Sequence, residues 1–380
     1  MKILQVGKYY FPYRGGIESV VQSLSEGLTQ AGNEIGVLCS AEKRIFTTEH
    51  IRGVNIHRAA QLGVLFSQPI TPSWPWLYQK LVKEHDVIHI HGPNPLAELS
   101  VLLFPKTKPI VVSYHADIVN QKWLRPFYRP LQRAFLKKVD KIIVATKNHI
   151  RFSEVLQEFQ DKIEVIPYGI DPENFSMNEN IEMQVERLKE QHGNFSLFVG
   201  RLVGYKGLDI LIRSMQEVKH PLLIVGEGPN RDQLVDLAYR LGVDDRVKFI
   251  GKVENQDTFT ALFHACQVLV LPSISAAENF GIVQIEAMCC GKPIITSNLK
   301  SGVPVVGQMG ATSILTPPGD HEALADALNH LLKNPKLVEI MGRKGQARFH
   351  EMFTLEKMIN SHLNLYTSLL EKAPSKNLAA

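Results

Sequence analysis

Short apolar runs rich in Val and Ile alternate with helix-period segments along most of the chain. The front half contains the runs KILQVG, EIGVLC, VNIHRA, DVIHIH, PIVVSYH, KIIVAT and KIEVIP, and the back half contains FSLFVG, PLLIVG, RVKFIG, QVLVLPS, KPIITS and SILTP. Each run is bounded by Gly, Pro, Asn or Asp, which is typical of buried parallel strands joined by crossover helices. The pattern predicts an α/β protein with two doubly wound, Rossmann-like domains.

The alternation of predicted strands and helices is interrupted once, by a polar, charged stretch between Tyr168 and Asn194, and then resumes. The sequence therefore predicts an N-terminal domain over residues 1–170 and a C-terminal domain over 171–354. A chain of 380 residues has room for both, at roughly 150 residues per domain. The last helical pattern, within 355–380, has no strand after it and is a candidate for packing back on the N-terminal domain.

Composition indicates a globular protein of the cytoplasm. Apolar residues make up 44% of the chain and charged residues 21%, and the mean hydropathy is −0.06. No apolar run approaches the roughly 18 residues of a membrane span, and the opening MKILQVGKYYF is too short for a secretory segment. The four cysteines form no CxxC pair, which favours reduced structural thiols.

The positive charge is concentrated in the front half. Residues 1–170 carry 21 Lys and Arg against 14 Asp and Glu, whereas the remainder carries 21 against 24. This asymmetry predicts an anionic partner for the front half, such as a phospholipid or a phosphate-bearing substrate. No DNA-reading or RNA-binding motif is present, so a nucleic-acid partner is not expected.

Ligands of open α/β sheets bind beyond the carboxyl ends of the strands. The residues that directly follow the apolar runs are therefore the candidates for chemistry. They are Gly15, Gly16, His89, His91, His115, Arg201, Lys206, Gly226–Gly228 and Ser273–Gly281.

Two glutamates, Glu278 and Glu286, flank the start of a predicted helix in SISAAENFGIVQIEAMCCGKPIITS. Eight helical residues would separate them by roughly 12 Å, too far for paired carboxylates on one bond. The spacing suits two groups that hold separate parts of one extended ligand. The amides of Asn279, Phe280 and Gly281 are expected to begin that helix and to offer an anion site. A solvated glutamate pair is the alternative interpretation.

The segment GRLVGYKG places Arg201 and Lys206 between a strand and a helix, where two cations can clamp a phosphate. An ordinary basic loop is the alternative. No Asp has another Asp two residues further on, so no DxD metal site exists and a diphosphate would be neutralised by Arg and Lys. In the first loop, Gly15 and Gly16 permit close approach of a ligand, but neither GxGxxG nor a P-loop is present, and a plain tight turn remains open.

The histidines complete the candidates. His89 and His91 alternate on one strand and share a face, but no nearby carboxylate or cysteine indicates zinc. A lone histidine is usually packed or solvated, but His115 follows PIVVSY at a strand end, a position that strengthens the expectation of substrate contact.

These motifs together resemble the retaining glycosyltransferases of family four, the group 1 transferases with the GT-B fold. The resemblance covers nearly the whole chain. It rests on GGIESVVQSLSEGLTQAGNEIGVLC, DVIHIHGP, SYHADI, VIPYGIDPENF, VGRLVGYKGLDILI, IVGEGPNRDQL, ENFGIVQIEAMCCGKPIITS and ILTPPGD. It implies two Rossmann-like domains that face each other across a cleft, with the donor nucleotide mostly on the second. It also implies transfer with retained anomeric configuration, in which the leaving phosphate oxygen takes the acceptor's proton on the same face.

The resemblance also implies roles for individual residues. Arg201 and Lys206 would hold the donor diphosphate, and Glu286 would bind the ribose hydroxyls. Glu278 would hold the transferred sugar and nearby phosphate together with the donor-binding stretch Asn279, Phe280, Gly281 and Ile282. Gly16 would reach the diphosphate from the N-terminal domain, and His115 would contact the transferred sugar. No metal or other cofactor is implied.

The stretches SYHADIVNQKWLRPFYRPLQ and SGVPVVGQMGATSILTPPGD look like bacterial transferases that build surface polysaccharide. This similarity favours a GDP-mannose-like donor, with UDP-sugars open, and a lipid-linked or saccharide acceptor. A GT-B-like epimerase and a non-catalytic nucleotide-sugar-binding protein are the competing functions. The second should have lost one of the four charged donor-site residues, and all four are present.

The segment 122–138 predicts a basic amphipathic helix. Its cations recur every four residues at Arg125, Arg129, Arg133 and Lys137, and its apolar residues are Trp123, Leu124, Phe127, Tyr128, Leu131 and Phe135. Such a helix is typical of a peripheral membrane element, here on the inner face of the cell membrane. A solvated helix face is the alternative, and Pro130 is expected to kink or break the helix.

Overall fold

The computed structural model describes residues 1–13, 15–65, 68–116 and 125–372. Contacts divide the chain into two compact units. The first comprises Met1–Tyr168 and the C-terminal segment that begins at Leu355, and the second comprises Gly169–Thr354. Each unit has its own sheet and its own apolar core.

The first unit contains an eight-stranded sheet in the order β10-β9-β8-β7-β1-β2-β4-β3. Its strands are β1 (Lys2–Val6), β2 (Glu34–Ser40), β3 (Thr47–Ile51), β4 (Val54–Ala59), β7 (Val87–Gly92), β8 (Ile110–Tyr114), β9 (Lys141–Val144) and β10 (Ile163–Val165). All neighbours are parallel except β3 and β4. The central strands are buried on both faces, which explains their continuous apolar runs.

Helices cover both faces of this sheet. They are α1 (Gly16–Gln30), α2 (Trp74–Glu84), α3 (Pro95–Leu103), α4 (Arg125–Lys138), α5 (Lys147–Phe152) and, from the end of the chain, α14 (Leu355–Lys372). The C-terminal helix α14 packs on α1, where a Cβ built on Gly27 would lie 2.1 Å from Ile359 Cδ1. Glycine at this position therefore lets the two helices approach closely.

Two elements of the first unit escaped the sequence analysis. The edge strand β3 runs antiparallel to β4, and a separate two-stranded hairpin is formed by β5 (Gly63–Leu65) and β6 (Gln68–Ile70). The residues of β3 alternate between half-buried and exposed, because an edge strand covers little of the core. Such strands have no continuous apolar run by which the sequence could indicate them.

The second unit contains a six-stranded parallel sheet in the order β13-β12-β11-β14-β15-β16. Its strands are β11 (Ser196–Val199), β12 (Leu222–Val225), β13 (Val247–Gly251), β14 (Val268–Leu271), β15 (Ile294–Ser297) and β16 (Ser313–Thr316). Its helices are α6 (Glu179–His192), α7 (Leu208–Ser214), α8 (Arg231–Arg240), α9 (Gln256–Ala265), α10 (Val283–Cys289), α11 (Val303–Gly307), α12 (His321–Leu332) and α13 (Pro335–Met352). Numbered within the unit, the strand order is 3-2-1-4-5-6, that of a Rossmann sheet.

Helix α4 corrects one expectation and bears on another. It is continuous from Arg125 to Lys138, so Pro130, which was expected to kink or break the helix, does not break it. The proline lies six residues into the helix, so it removes only one early backbone hydrogen bond. Trp123 and Leu124 of the predicted membrane segment lie outside the described residues, as do the side chains of Arg125 and Phe127.

Two cations of the predicted α4 stripe are neutralised locally. Arg129 pairs with Glu154 at 2.8 Å, and Arg133 pairs with Glu158 at 2.5 Å. The apolar side of the helix enters the core through the buried Phe135. These contacts reduce the charge available to a membrane, and docking through 122–138 stays a prediction. No helix within the described ranges is both long and apolar enough to cross a bilayer.

Candidate functional site

The strand order of the second unit reverses between β11 and β14, which are neighbours in the sheet. A ligand crevice opens at such a switch point, beyond the carboxyl ends of the two strands. Arg201 and Lys206 follow β11, and Glu278 follows β14. The topology therefore brings together residues that are more than 70 positions apart in sequence.

The centre of this site is a buried ion pair. Lys206 Nζ lies 2.5 Å from Glu278 Oε2, and the two side chains are only 12% and 10% exposed. Ser273 Oγ donates a second hydrogen bond to the same carboxylate oxygen at 3.0 Å. Burial has the largest single effect and lowers the pKa of Lys206, but Glu278, Tyr205 and Glu286 together outweigh it, so the net pKa is raised and the ammonium is held charged.

Glycines allow the loops after β11 and β14 to meet. Gly207 adopts a left-handed conformation (φ 67°), and a Cβ there would lie 2.1 Å from the Pro272 carbonyl oxygen. The Ile274 amide donates to the Tyr205 carbonyl at 2.9 Å, which joins the loops directly. Only glycine fits this contact, and the contact sets the position of Lys206 next to Glu278.

Glu286 lies on α10 and faces the same charge. Its side chain is half-buried and has no hydrogen bond or ion pair within the part of the chain that the structure describes. Burial raises the pKa of Glu286 to about 7, and the Lys206 ammonium opposes the rise. A carboxyl group without a partner that titrates near neutral pH is suited to a ligand hydroxyl.

Arg201 differs from Lys206. It is exposed, and its guanidinium makes no ion pair or hydrogen bond with the described residues. It contributes positive charge near Tyr205. Burial raises the pKa of Tyr205, and the charges of Lys206 and Arg201 offset part of that rise. The site therefore contains one cation already paired and one available to an incoming anion.

The predicted start of the helix after β14 is wrong. Asn279, Phe280 and Gly281 precede the helix, which begins at Val283. Gly281 has a φ of 70°, which is incompatible with the first turn of a helix, and a Cβ there would lie 2.6 Å from Leu271 Cδ2. Residues 279–281 are thus a tight loop over the end of β14, not the first turn of α10.

The sheet of the first unit also has a switch point, between β1 and β7. Gly15 is the N-cap of α1 and Gly16 its first residue, at the end of the loop that follows β1. A Cβ built on Gly16 would meet nothing within 4 Å, so packing within this chain does not require glycine there. Open space at that point is consistent with close approach of a ligand.

His115 is part of a buried chain of hydrogen bonds. His91 Nε2 lies 2.8 Å from Gln5 Oε1, His91 Nδ1 lies 3.0 Å from His115 Nε2, and His115 Nδ1 lies 2.5 Å from Tyr168 Oη. With the amide oxygen of Gln5 as acceptor, the proton of His91 is on Nε2, and His91 Nδ1 accepts from His115. His115 Nδ1 in turn accepts from the Tyr168 hydroxyl.

Burial keeps His115 neutral. Burial lowers its pKa to about 3, with a further contribution from the neighbouring His149. Both ring nitrogens are occupied, so a sugar hydroxyl that binds Nδ1 must replace Tyr168. Tyr168 was not among the candidates selected from the sequence, although it lies in the loop after the carboxyl end of β10 and meets the same criterion.

His89 is in a second buried group with the C-terminal helix. Tyr366 Oη lies 2.7 Å from His89 Nδ1, and Ser113 Oγ lies 2.8 Å from His89 Nε2. The rings of His89 and His91 lie 4.4 Å apart between centroids and are tilted by 35°, and burial lowers the pKa of both well below the usual value. His89 therefore links α14 to the sheet as a neutral hydrogen-bonding group.

Glu98 is a buried carboxyl that the sequence did not single out. It lies in the first turn of α3, after β7, and accepts from Tyr128 Oη at 2.5 Å and from the Asn94 amide at 3.2 Å. Its other oxygen is buried without a hydrogen-bond partner. Burial raises the pKa of Glu98 to about 7, although both hydrogen bonds favour the ionised form. Across residues 1–13, 15–65, 68–116 and 125–372, no group of three or more His, Cys, Asp or Glu could hold a metal ion.

Two family models match consecutive parts of the chain. Residues 14–174 match Glycosyltransferase Family 4, and residues 179–348 match Glycosyl transferases group 1. Over 373 residues the chain is 33% identical to the O-antigen chain mannosyltransferase C of Escherichia coli, an alignment that covers 98% of this chain and 99% of the relative. This chain belongs to the group 1 glycosyltransferases of family four. It is also 35% identical to the D-rhamnosyltransferase WbpZ of Pseudomonas aeruginosa, over 93% of this chain and 92% of the relative.

Solved structures show the same fold for this glycosyltransferase. The sucrose-phosphate synthase of Thermosynechococcus elongatus matches with a TM-score of 0.83 at 22% identity, over 97% of this chain and 99% of that chain. HepE of Anabaena, in complex with UDP-glucose, matches with a TM-score of 0.79 at 20% identity, over 97% and 100%. The fold class predicted from the sequence, GT-B with two Rossmann-like domains, is confirmed.

Proposed function

We propose that this glycosyltransferase moves a hexose from a nucleoside-diphosphate sugar to a lipid-linked or saccharide acceptor in surface-polysaccharide assembly, with retention of configuration. A GDP-mannose-like donor is favoured, because the name of the Escherichia coli relative specifies mannose and O-antigen chains. A UDP-sugar is the second candidate, since HepE was solved with UDP-glucose. The observation that carries the proposal is the Lys206–Glu278 pair at the switch point of the second sheet.

The pair supports a division of roles. The negative charge of a donor diphosphate competes with Glu278 for Lys206. Arg201 supplies a second cation, which does not have to break an existing ion pair in order to bind the diphosphate. Glu278, once released, can accept hydroxyl hydrogen bonds from the transferred sugar, while Ser273 keeps its carboxylate in place. As the bond to the sugar breaks, charge grows on the leaving phosphate, and the two cations stabilise it there.

Glu286 is assigned to the ribose. It lies on the same helix-and-loop segment as Glu278, its carboxyl lacks a partner, and its pKa near 7 permits the ionised form at neutral pH. The donor-binding stretch Asn279, Phe280, Gly281 and Ile282 lies between the two glutamates, over the end of β14. In the first unit, Gly16 is proposed to approach the diphosphate and His115 the sugar, each from the carboxyl end of a strand.

Acceptor activation needs no protein base in this proposal. The leaving phosphate oxygen takes the proton of the acceptor hydroxyl on the face of the sugar from which it departs. The bond to the acceptor oxygen therefore forms on the same face of the anomeric carbon as the bond to the phosphate that breaks. No metal is included, because Arg201 and Lys206 supply the charge that a divalent ion would otherwise provide. Turnover is therefore expected to persist in excess EDTA. Loss of turnover with rescue by magnesium would contradict this assignment.

A donor screen tests the proposal. The protein is incubated with GDP-mannose and with UDP-sugars, with and without a lipid-linked acceptor, and nucleotide release is measured. Arg201→Ala and Lys206→Ala are each expected to lose turnover by about 10²–10³-fold, the usual effect of removing one transition-state donor. The exposed Arg213→Ala and Lys219→Ala are matched controls in the same unit and should retain it. Near-normal turnover in both site variants would refute the clamp.

The product's configuration tests retention. Proton NMR of the purified product is expected to show the anomeric configuration of the donor sugar. An inverted product would require a general base opposite the leaving group and would remove the basis for proton transfer to the phosphate oxygen.

A further inference from the structure

The first unit exposes an unusual amount of apolar surface around the β5–β6 hairpin. Leu62, Val64 and Leu65 are 54%, 57% and 55% exposed, Ile70 is 43% exposed, and Trp76, at the start of α2, is 68% exposed. We call these five residues the hairpin surface. They fall within residues 59–79, a segment without a single Asp, Glu, Lys or Arg in a chain that is 21% charged.

The exposure is on both sides of the hairpin. Val64 and Leu65 are consecutive in β5, so their side chains point to opposite faces, and both are more than half exposed. The hairpin is also not paired with the eight-stranded sheet. A protein partner covers one face of such an element, whereas a bilayer surrounds an inserted hairpin on both faces. The geometry therefore favours lipid over a flat protein interface.

The hairpin surface lies at the same sheet edge as the candidate site of the first unit. It follows the carboxyl end of β4, and Tyr9 Oη, in the loop after β1, donates to Gln61 Oε1 at 2.9 Å. The backbone N–H of Gln61 donates to the Lys43 carbonyl at 3.1 Å, which connects the loop after β2 to the same residue. That second loop exposes two more apolar side chains, Ile45 and Phe46.

The flanking charges fit the lipid interface. Lys43 and Arg44 make no ion pair with the described residues, and Glu42 beside them leaves this loop a small net positive charge. Tryptophan at the rim of an apolar patch is typical of the boundary between headgroups and hydrocarbon. Insertion of apolar side chains thus contributes more than charge to membrane binding by this surface. The predicted binding of α4, by contrast, depends on its cations.

We propose that the hairpin surface inserts into the hydrocarbon boundary of a lipid bilayer and holds the carboxyl edge of the first unit where a lipid-linked acceptor presents its sugar. The choice of a lipid-linked over a free saccharide acceptor rests on the proposed function, whereas the insertion itself does not. Membrane attachment of this kind is weak for each residue and adds up over the set.

Vesicle co-sedimentation tests insertion. The probes are vesicles of phosphatidylcholine with one-fifth phosphatidylglycerol, at 0.1 M and 0.5 M NaCl. Wild type is expected to bind at both salt concentrations, because apolar insertion is not screened. The Leu62→Ser/Val64→Ser/Leu65→Ser variant is expected to bind about a hundredfold more weakly, from roughly fivefold for each half-exposed side chain.

The matched control removes equally exposed apolar side chains elsewhere. Leu99→Ser/Leu103→Ser/Ile340→Ser should bind vesicles like wild type. Trp76 gives an independent readout, since its fluorescence should be quenched by brominated acyl chains, and Trp76→Phe should lose most of that quenching. Wild type that stays in the supernatant, or a hairpin variant that sediments like wild type, would overturn the proposal. The proposal would also be overturned if wild type forms a dimer but does not bind vesicles, and the hairpin variant is monomeric.

Donor binding separates this inference from the proposed function. Calorimetry with GDP-mannose and UDP-glucose is run on the same preparations, because the four charged donor residues, Arg201, Lys206, Glu278 and Glu286, lie in the second unit and the hairpin lies in the first. Normal donor binding without vesicle binding would refute insertion alone. Vesicle binding without sugar transfer to any lipid-linked acceptor would refute the lipid-linked acceptor of the proposed function and leave insertion standing. A urea denaturation curve like that of wild type shows that the hairpin variant is folded, including the first unit that carries the substitutions.

Discussion

Glu286 gives a sharp test of the donor site because its pKa lies where binding can be measured. Its carboxyl group is half-buried, has no partner among the described residues, and faces the charge of Lys206. Burial raises its pKa to about 7. If the carboxylate accepts hydrogen bonds from two ribose hydroxyls, only the ionised form is fully competent, and donor affinity must rise with pH.

The size of the effect follows from that pKa. About one-tenth of the carboxyl groups are ionised at pH 6 and about nine-tenths at pH 8, so the Kd of the donor should be about tenfold higher at pH 6. This corresponds to about 1.4 kcal/mol of binding free energy. The sign is fixed by the chemistry: binding favours the ionised group, so below pH 7 it releases a proton to the buffer.

Titration calorimetry measures both quantities. A nucleotide sugar is used as ligand without acceptor, because its diphosphate is esterified at both ends and does not titrate in this range. Proton release is obtained from the difference between two buffers with distinct ionisation enthalpies. Glu286→Gln should bind weakly with a flat pH profile, and the exposed Glu217→Gln should behave like wild type. A flat wild-type profile, or the same slope in Glu286→Gln, would refute the ribose assignment.

Three further predictions concern the surrounding structure. Glu98→Gln should flatten the pH dependence of stability. The native pKa of Glu98, about 7, lies above the unfolded value, so the wild type's free energy of unfolding falls by about 3 kcal/mol as the pH rises from about 4.5 to 7. Urea denaturation of wild type and variant at pH 5 and pH 8 checks this. Gly207→Ala should cost on the order of 2–4 kcal/mol, because the left-handed backbone and the Pro272 carbonyl both oppose a Cβ, and a wild-type denaturation curve would contradict it. His115 should remain neutral and protonated on Nε2 from pH 5 to 8, since Tyr168 occupies Nδ1; nitrogen NMR of labelled histidines checks this, and an imidazolium signal at pH 6 would argue against the hydrogen-bond chain.

The sequence by itself determined the order of strands and helices and the residues that follow the strands. Parallel strands buried on both faces need apolar side chains at every position, so each appears as a local run such as FSLFVG or VLVLPS. Because ligands bind where such strands end, Arg201, Lys206 and Glu278 could be selected without a structure. The motifs around them also identified the family, which the comparisons confirmed.

Only the tertiary structure decided which of these groups meet and what their charges are. The Lys206–Glu278 pair and the hydrogen-bond chain from Gln5 to Tyr168 join residues that are distant in sequence, through loops whose closure depends on glycine geometry. The pKa of Glu286 depends on burial, which no local pattern encodes. The exposure of Val64 and its neighbours likewise depends on a hairpin that leaves the main sheet. Local patterns report which residues favour a strand or a helix, whereas contacts, burial and charge are properties of the packed chain.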